Sequence, residues 1–313
     1  MPHRHTSQDR AADARPYNGR VILTRRSFLT VAVGAASASA AVQVPGPAAA
    51  LPHPKGGRLG LELYSLRNQL KKDIAGTLKK VRDWGFEDVE LAGFPAMSAT
   101  DTARVLRTAG LHAVSQFVDY ERLRDDFGAV VRDAHTLGLE TIICGWIPHD
   151  GTLTRRDADS AIASFNAWGA AAAREKLRLG YHIHGYEFVA SDNGTLMDTL
   201  FKQTDPRFVD YEMDVFWVVR GGADPVALLN RYGSRIRIVH VKDMARGTPT
   251  GVTTGEAPDE ASVPLGTGII DWSKVMNAAV AARVKWYLIE DEHPDSIRQI
   301  PQSLEYLRRL NVG

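Results

Sequence analysis

Four side chains able to hold a cation or move a proton recur at matching places in the second half of this chain: Glu187, Asp214, His240 and Glu290. Each stands at or near the end of a short apolar run. Glu187 closes Tyr181-His182-Ile183-His184-Gly185-Tyr186-Glu187-Phe188, and Asp214 ends Tyr211-Glu212-Met213-Asp214. His240 lies in Ile238-Val239-His240-Val241-Lys242-Asp243, and Glu290 in Leu288-Ile289-Glu290-Asp291-Glu292. Three carboxylates and one imidazole offer mixed oxygen and nitrogen donors, which suits a hard to borderline divalent ion such as Mn, Mg, Co or Zn. A buried charge without a partner costs on the order of several kcal/mol, and one shared cation would satisfy all four. Taken singly, each reads as a structural residue or half of an ion pair; four at equivalent positions point to one site.

The elements that must position them follow from periodicity. Apolar runs begin near Leu59, Asp88, His112, Glu140, Arg178, Phe208, Ile236 and Trp286. Between them lie helix-period segments: Ile74–Trp84 ending at Gly85, Phe127–Thr136 stopping at Gly138, and the Ala-rich 161–176. Asp224-Pro225 opens another with Asp as N-cap and Pro in the first turn, Ile270-Asp271-Trp272-Ser273 opens a further one, and residues 296–310 form the last. Strand–helix alternation implies parallel strands joined by helices. Eight such units predict a single-domain α/β fold, a closed (β/α)8 TIM barrel of about 250 residues spanning 58–313. A doubly wound open sheet would carry a Gly-rich turn after its first strand, whereas here that strand runs into Ser65-Leu66-Arg67-Asn68. In a barrel the chemistry gathers at the C-terminal strand ends, where the four residues are placed.

The chain has 313 residues, 38 basic and 37 acidic, for a formal charge of +1. That balance argues against nucleic acid as partner, since phosphate recognition shows as a basic excess. The single cysteine, Cys144, excludes an intramolecular disulfide and is expected to be a small buried hydrophobe. The N-terminal 1–50 reads as an address and linker. Thr24-Arg25-Arg26-Ser27-Phe28-Leu29 followed by an Ala/Gly-rich stretch resembles a twin-arginine export signal. The stretch is too short and too rich in small residues to anchor in a bilayer, so the expectation is a periplasmic or extracellular protein with no membrane span after processing, cleaved after Ala38, Ala40 or Ala50. That route carries folded proteins, so a metal could be inserted before export. Self-association is left open.

The strings around Glu187, Asp214, His240 and Glu290, with Leu265-Gly266-Thr267-Gly268-Ile269-Ile270-Asp271-Trp272, resemble the sugar phosphate isomerase/epimerase family of the xylose isomerase-like barrels, a superfamily that includes the endonuclease IV type. The resemblance runs over about residues 58–311, strongest from 178 onward. It implies that Glu187, Asp214, His240 and Glu290 are the metal ligands and that Glu187 and Glu290 double as catalytic bases on opposite faces of a small sugar. Three departures stand out. Ile183 occupies the place where the family commonly has Asn, Ser115-Gln116-Phe117 lacks the family's third-strand His, and Trp217 stands where endonuclease IV has a zinc-binding His.

The mechanism this implies is proton abstraction α to a carbonyl, through an enediolate steadied by the cation. Return of the proton to the other carbon isomerises, return to the other face epimerises, and loss of a β-substituent eliminates. His182 and His184 are assigned to opposite faces of their strand, a bend at Gly185 being able to break the phase, with one at the substrate and one packed; His184 is the preferred contact. Lys242 holds substrate oxygens or makes a surface salt bridge. Trp217 and Tyr64 face a sugar ring or pack in the core, and Glu62 lines the pocket or pairs with an arginine. The alternatives are a lyase or hydrolase on a 3-keto-glycoside, an endonuclease IV-like hydrolase, and a non-catalytic sugar-binding protein. Export favours an unphosphorylated substrate.

Overall fold

The computed structural model describes residues 51–310 apart from 53 and 193; the export signal expected over 1–50 lies outside these. Eight parallel strands close into one barrel. They are β1 Arg58–Glu62, β2 Asp88–Leu91, β3 His112–Val118, β4 Thr141–Cys144, β5 Arg178–Ile183, β6 Val209–Asp214, β7 Ile236–Val241 and β8 Trp286–Ile289. Neighbours in sequence are neighbours in the sheet, and β8 pairs with β1 to shut the ring. Each strand begins within a residue of an apolar run expected from the sequence, and most of their residues are buried on both faces, as in a parallel sheet covered on both sides.

The helices are α1 Ile74–Asp83, α2 Ala99–Ala109, α3 Phe127–Leu137, α4 Arg155–Arg174, α5 Leu196–Gln203, α6 Val215–Arg220, α7 Pro225–Tyr232, α8 Trp272–Ala281 and α9 Ser296–Arg309, with short helical segments besides at Arg67–Leu70 and Tyr120–Asp125. Their starts are written in side chains. Thr154 and Thr195 each form a capping box with the Asp three residues on, and Asp224 caps α7 ahead of Pro225. Helices α2, α5 and α6 were not set out from periodicity: α2 is mostly polar, and α5 and α6 are short, at 8 and 6 residues. No helix of the described residues is long and apolar enough to cross a membrane.

Two apolar regions hold the barrel. The larger lies between strands and helices, and Cys144 is buried in it. The smaller plugs the barrel interior with Val114, Ile143, Ile238, Trp286 and Leu288, overlain by Phe117. Burying one such aliphatic side chain is worth roughly 1.5–3 kcal/mol. Above this plug, toward the C-terminal strand ends, the interior turns from apolar to charged.

Candidate active site

The charged layer is built by strand alternation. On β6, Glu212 and Asp214 share the inward face; on β7, His240 and then Lys242 beyond the strand end do the same. Asp214 pairs in register with His240, His182 with Glu212, and Glu62 with Glu90. Donor atoms of His182, Asp214 and His240, one from each, lie within 4.8 Å of one another. Glu290 joins them, its Oε2 2.8 Å from His240 Nδ1. Lys242 Nζ stands beside them, 3.2 Å from Glu290, 2.9 Å from Glu292 and 3.7 Å from Asp214. The ammonium also lies over the rings of Phe216 and Trp217, at 5.0 and 5.2 Å.

Of the four residues expected to share an ion, the structure therefore brings together Asp214, His240 and Glu290. Glu187 is not among them. Gly185 takes the left-handed region (φ 88°), where a Cβ would come within 2.7 Å of the Trp217 carbonyl oxygen. The chain turns there into a short 3-10 helix over Tyr186–Phe188. Glu187 Oε1 accepts hydrogen bonds from the Tyr181 hydroxyl and, at 2.9 Å, from the His184 amide. Tyr181 packs on Phe165 of α4, so it faces the helix layer.

Burial, only partly offset by those hydrogen bonds, pushes the Glu187 carboxyl up to about 7 from 4.5. A carboxyl whose folded-state pKa is raised binds extra protons in the folded state, so stability falls as pH climbs from about 4.5 through 7. Urea unfolding of the wild type and of Glu187→Gln between pH 5 and 8 is expected to show the wild type losing about 2–3 kcal/mol more than the variant. Parallel pH dependences in the two proteins would contradict this environment for Glu187.

The assignment of the two β5 histidines to opposite faces is corrected: residues two apart on a strand share a face, and the rings lie 5.3 Å apart. His182 sits deeper, among the charged groups. His184 is stacked on Trp217 at 4.4 Å. Burial and then the nearby Lys242 hold the His184 ring down to about 3, so it is neutral. Its Nδ1 is buried without a hydrogen-bond partner. Trp146, just past β4, meets His184 edge-on at 5.2 Å and lies parallel to His149 at 5.1 Å. It is 38% exposed, so an aromatic wall runs from Lys242 to solvent. Tyr64 instead lies beneath the Arg67 guanidinium.

Lys242 is fully buried, not a surface salt bridge. Burial alone would lower its pKa, but Glu290, Glu292 and Asp214 more than reverse that and keep it an ammonium. In return, although burial pushes Glu290 up, Lys242 and His240 together hold it well below the usual carboxylate range. Glu62 and Asp214 go the other way: burial raises both well above their ordinary values. Glu62 lines this interior and has no arginine partner among the described residues; one of its oxygens is buried and unbonded. Asp243 has a structural part. Its oxygens accept the amides of Gly266 (2.8 Å), Gly268 (3.1 Å) and Ile270 (3.3 Å), pinning the Gly-Thr-Gly loop. A Cβ on Gly268 would lie 2.2 Å from Asp243 Oδ1.

The donor chemistry fits a divalent cation. Asp214 Oδ1 accepts the Trp217 amide at 3.2 Å and caps α6, while Oδ2 is buried and lacks a hydrogen bond. His182, Asp214, His240 and Glu290 would be the residues to hold it, with His182 taking the place first given to Glu187.

The sequence profile of the xylose isomerase-like TIM barrel family matches residues 78–310. The chain belongs to that family. Among relatives of this xylose isomerase-like barrel, the inosose dehydratase of Geobacillus kaustophilus (strain HTA426) is 24% identical over 269 residues, 74% of this chain and 86% of that protein. The inosose dehydratase of Geobacillus thermodenitrificans (strain NG80-2) is 28% identical over 151 residues; the match takes in 46% of this chain and about half the length of that relative. A sugar phosphate isomerase/epimerase from Parabacteroides distasonis ATCC 8503 superposes with a TM-score of 0.67 at 26% identity, over 82% of this chain and 99% of that one. A xylose isomerase-like barrel from Mycobacterium smegmatis, solved in complex with magnesium, superposes at 0.61 with 16% identity, over 81% of this chain and 96% of that one, a likeness of fold.

Proposed function

We propose that this barrel is a divalent-metal-dependent enzyme that removes the proton α to a carbonyl of a keto-sugar or keto-polyol, then either returns it or expels a β-hydroxyl. One observation carries the reading: donor atoms of His182, Asp214 and His240 converge within 4.8 Å beneath a buried ammonium. A divalent cation held there would supply Lewis acidity toward a carbonyl and its neighbouring hydroxyl.

The chain's own groups then divide the work. Lys242 Nζ, fixed among three carboxylates, donates to the oxygen that gains negative charge and is the acid for a departing hydroxyl. Glu292 accepts from Lys242 and is the most exposed of those carboxylates, at 16% against 6% for Glu290; it is placed to take the carbon-bound proton. Glu290, held ionised, is a weak base and acts as a ligand. His184, neutral with a free buried Nδ1, orients a hydroxyl, and Trp146 and Trp217 offer faces to the ring. Elimination is favoured over isomerisation by the relatives named inosose dehydratases and by the acid poised at Lys242. The twin-arginine-like segment supports an exported protein meeting an unphosphorylated substrate.

The test uses protein loaded with Mn²⁺ or Zn²⁺ in D₂O, with a panel of keto-inositols, ketoses and 3-keto-glycosides. The expected result is deuterium at the α-carbon of one class with rising enone absorbance, both lost on adding EDTA. Deuterium wash-in without enone would select isomerisation or epimerisation. No wash-in with any member would sink the reading.

A further inference from the structure

Two carboxylates below the site take no part in the mechanism above, yet both are buried in the middle of the barrel. Glu90, on β2, and Glu212, on β6, are fully excluded from solvent. A carboxylate in such a place costs several kcal/mol on an order-of-magnitude scale unless it is paired and hydrogen-bonded. Their partners are specific. Glu212 Oε1 lies 2.7 Å from His182 Nδ1. Glu90 Oε2 lies 2.7 Å from His240 Nε2, and its other oxygen accepts the Ser115 hydroxyl. Glu212 Oε1 is also 3.3 Å from His240 Nε2. Phe117 packs on both imidazoles, at 5.1 and 6.2 Å between ring centroids, so the rings cannot swing away.

An imidazole that gives its proton to a carboxylate on one side presents a lone pair on the other. We propose that Glu212 and Glu90 are positioning residues that set opposite tautomers in the two histidines. Glu212 holds His182 as Nδ1–H, leaving its Nε2 as donor; Glu90, anchored by Ser115, holds His240 as Nε2–H, leaving its Nδ1, on the Glu290 side, as donor. The barrel thus carries two tiers: carboxylates below that fix ring orientation and proton placement, and His182, Asp214, His240 and Glu290 above that receive the cation. The inference rests on the proposed metal site.

The test compares Glu212→Gln, Glu90→Gln and Asp214→Asn with wild type. Mn²⁺ and Zn²⁺ dissociation constants are measured by calorimetry, and imidazole tautomers of the Zn²⁺-saturated wild type and Glu variants by long-range ¹⁵N–¹H correlation. Wild type is expected to show His182 as Nδ1–H and His240 as Nε2–H. Each Gln variant should bind either ion about 10- to 100-fold more weakly, with Glu90→Gln changing the tautomer of His240 alone and Glu212→Gln changing that of His182, its nearer partner. Where a Gln variant does not fold, Glu212→Asp or Glu90→Asp takes its place, and intermediate weakening is expected. If Asp214→Asn loses the ion while the Glu variants bind within twofold of wild type with unchanged tautomers, the positioning inference fails alone. If Asp214→Asn binds as wild type does, the metal site itself is wrong and the inference falls with it.

Discussion

Asp214→Asn is expected to leave a folded barrel that no longer retains a divalent ion and turns over substrate at least about 10³-fold more slowly, a loss of roughly 4 kcal/mol of transition-state stabilisation. The two carboxylate oxygens of Asp214 have separate duties. Oδ1 accepts the Trp217 amide and starts α6, a bond that an amide oxygen preserves. Oδ2 is buried with no hydrogen bond, and this is the atom the substitution turns into an NH₂ group unable to bind a cation. The metal-free variant is expected to melt somewhat lower than the metal-free wild type, since its NH₂ group faces Lys242 Nζ where Oδ2 made an ion pair at 3.7 Å. Metal analysis after dialysis, thermal unfolding in EDTA and turnover of the identified substrate check the three parts. A variant that keeps stoichiometric metal and full turnover would remove Asp214 from the site.

The second large effect belongs to Lys242→Met. Methionine fills a similar volume but leaves Glu290, Glu292 and Asp214 facing one another without the ammonium. Breaking a buried ion pair from one side typically costs about 3–5 kcal/mol, and loss of the acid should lower turnover by about 10²- to 10⁴-fold. The stability loss has a predictable pH dependence. With Lys242 present, Glu290 stays ionised well below its ordinary range, contributing stability that is present at neutral pH and lost only in acid. Without it the carboxylates take up protons in the folded state. Metal-free Lys242→Met should therefore be most impaired near pH 8 and recover toward wild type near pH 5. Equal stability of the two proteins at pH 8 would mean that the ammonium does not hold the cluster together.

The barrel was legible because short apolar-rich runs alternate with helix-period segments, a pattern repeated along the chain. The meeting of Asp214, His240 and Glu290 was legible because each falls at a strand end in regular phase. That phase was misread at Glu187, which follows a left-handed glycine that takes the chain out of strand phase. The residues overlooked fall into two kinds. Glu90 and Glu212 lie inside strands, below the ends where reactive groups were sought, and the available signal was a charged residue on the inward face of a fully buried strand. Glu292 and Trp146 lie past strand ends in loops, whose backbone paths no periodicity describes. His182 was visible, but its two-residue spacing from His184 was given the wrong face.

The charged tier in the barrel interior also couples any cation it would take up to the hydrogen ions bound there. Burial drives Glu62, Glu212 and Asp214 well above their ordinary pKa values, while Glu212 and Glu90 lift His240 against its own burial. A dication held by His182, Asp214, His240 and Glu290 would compete with the hydrogen ions bound by these groups, so its affinity would fall as pH falls. In weakly buffered solution each loading event would acidify the medium, and acid would weaken retention of the ion.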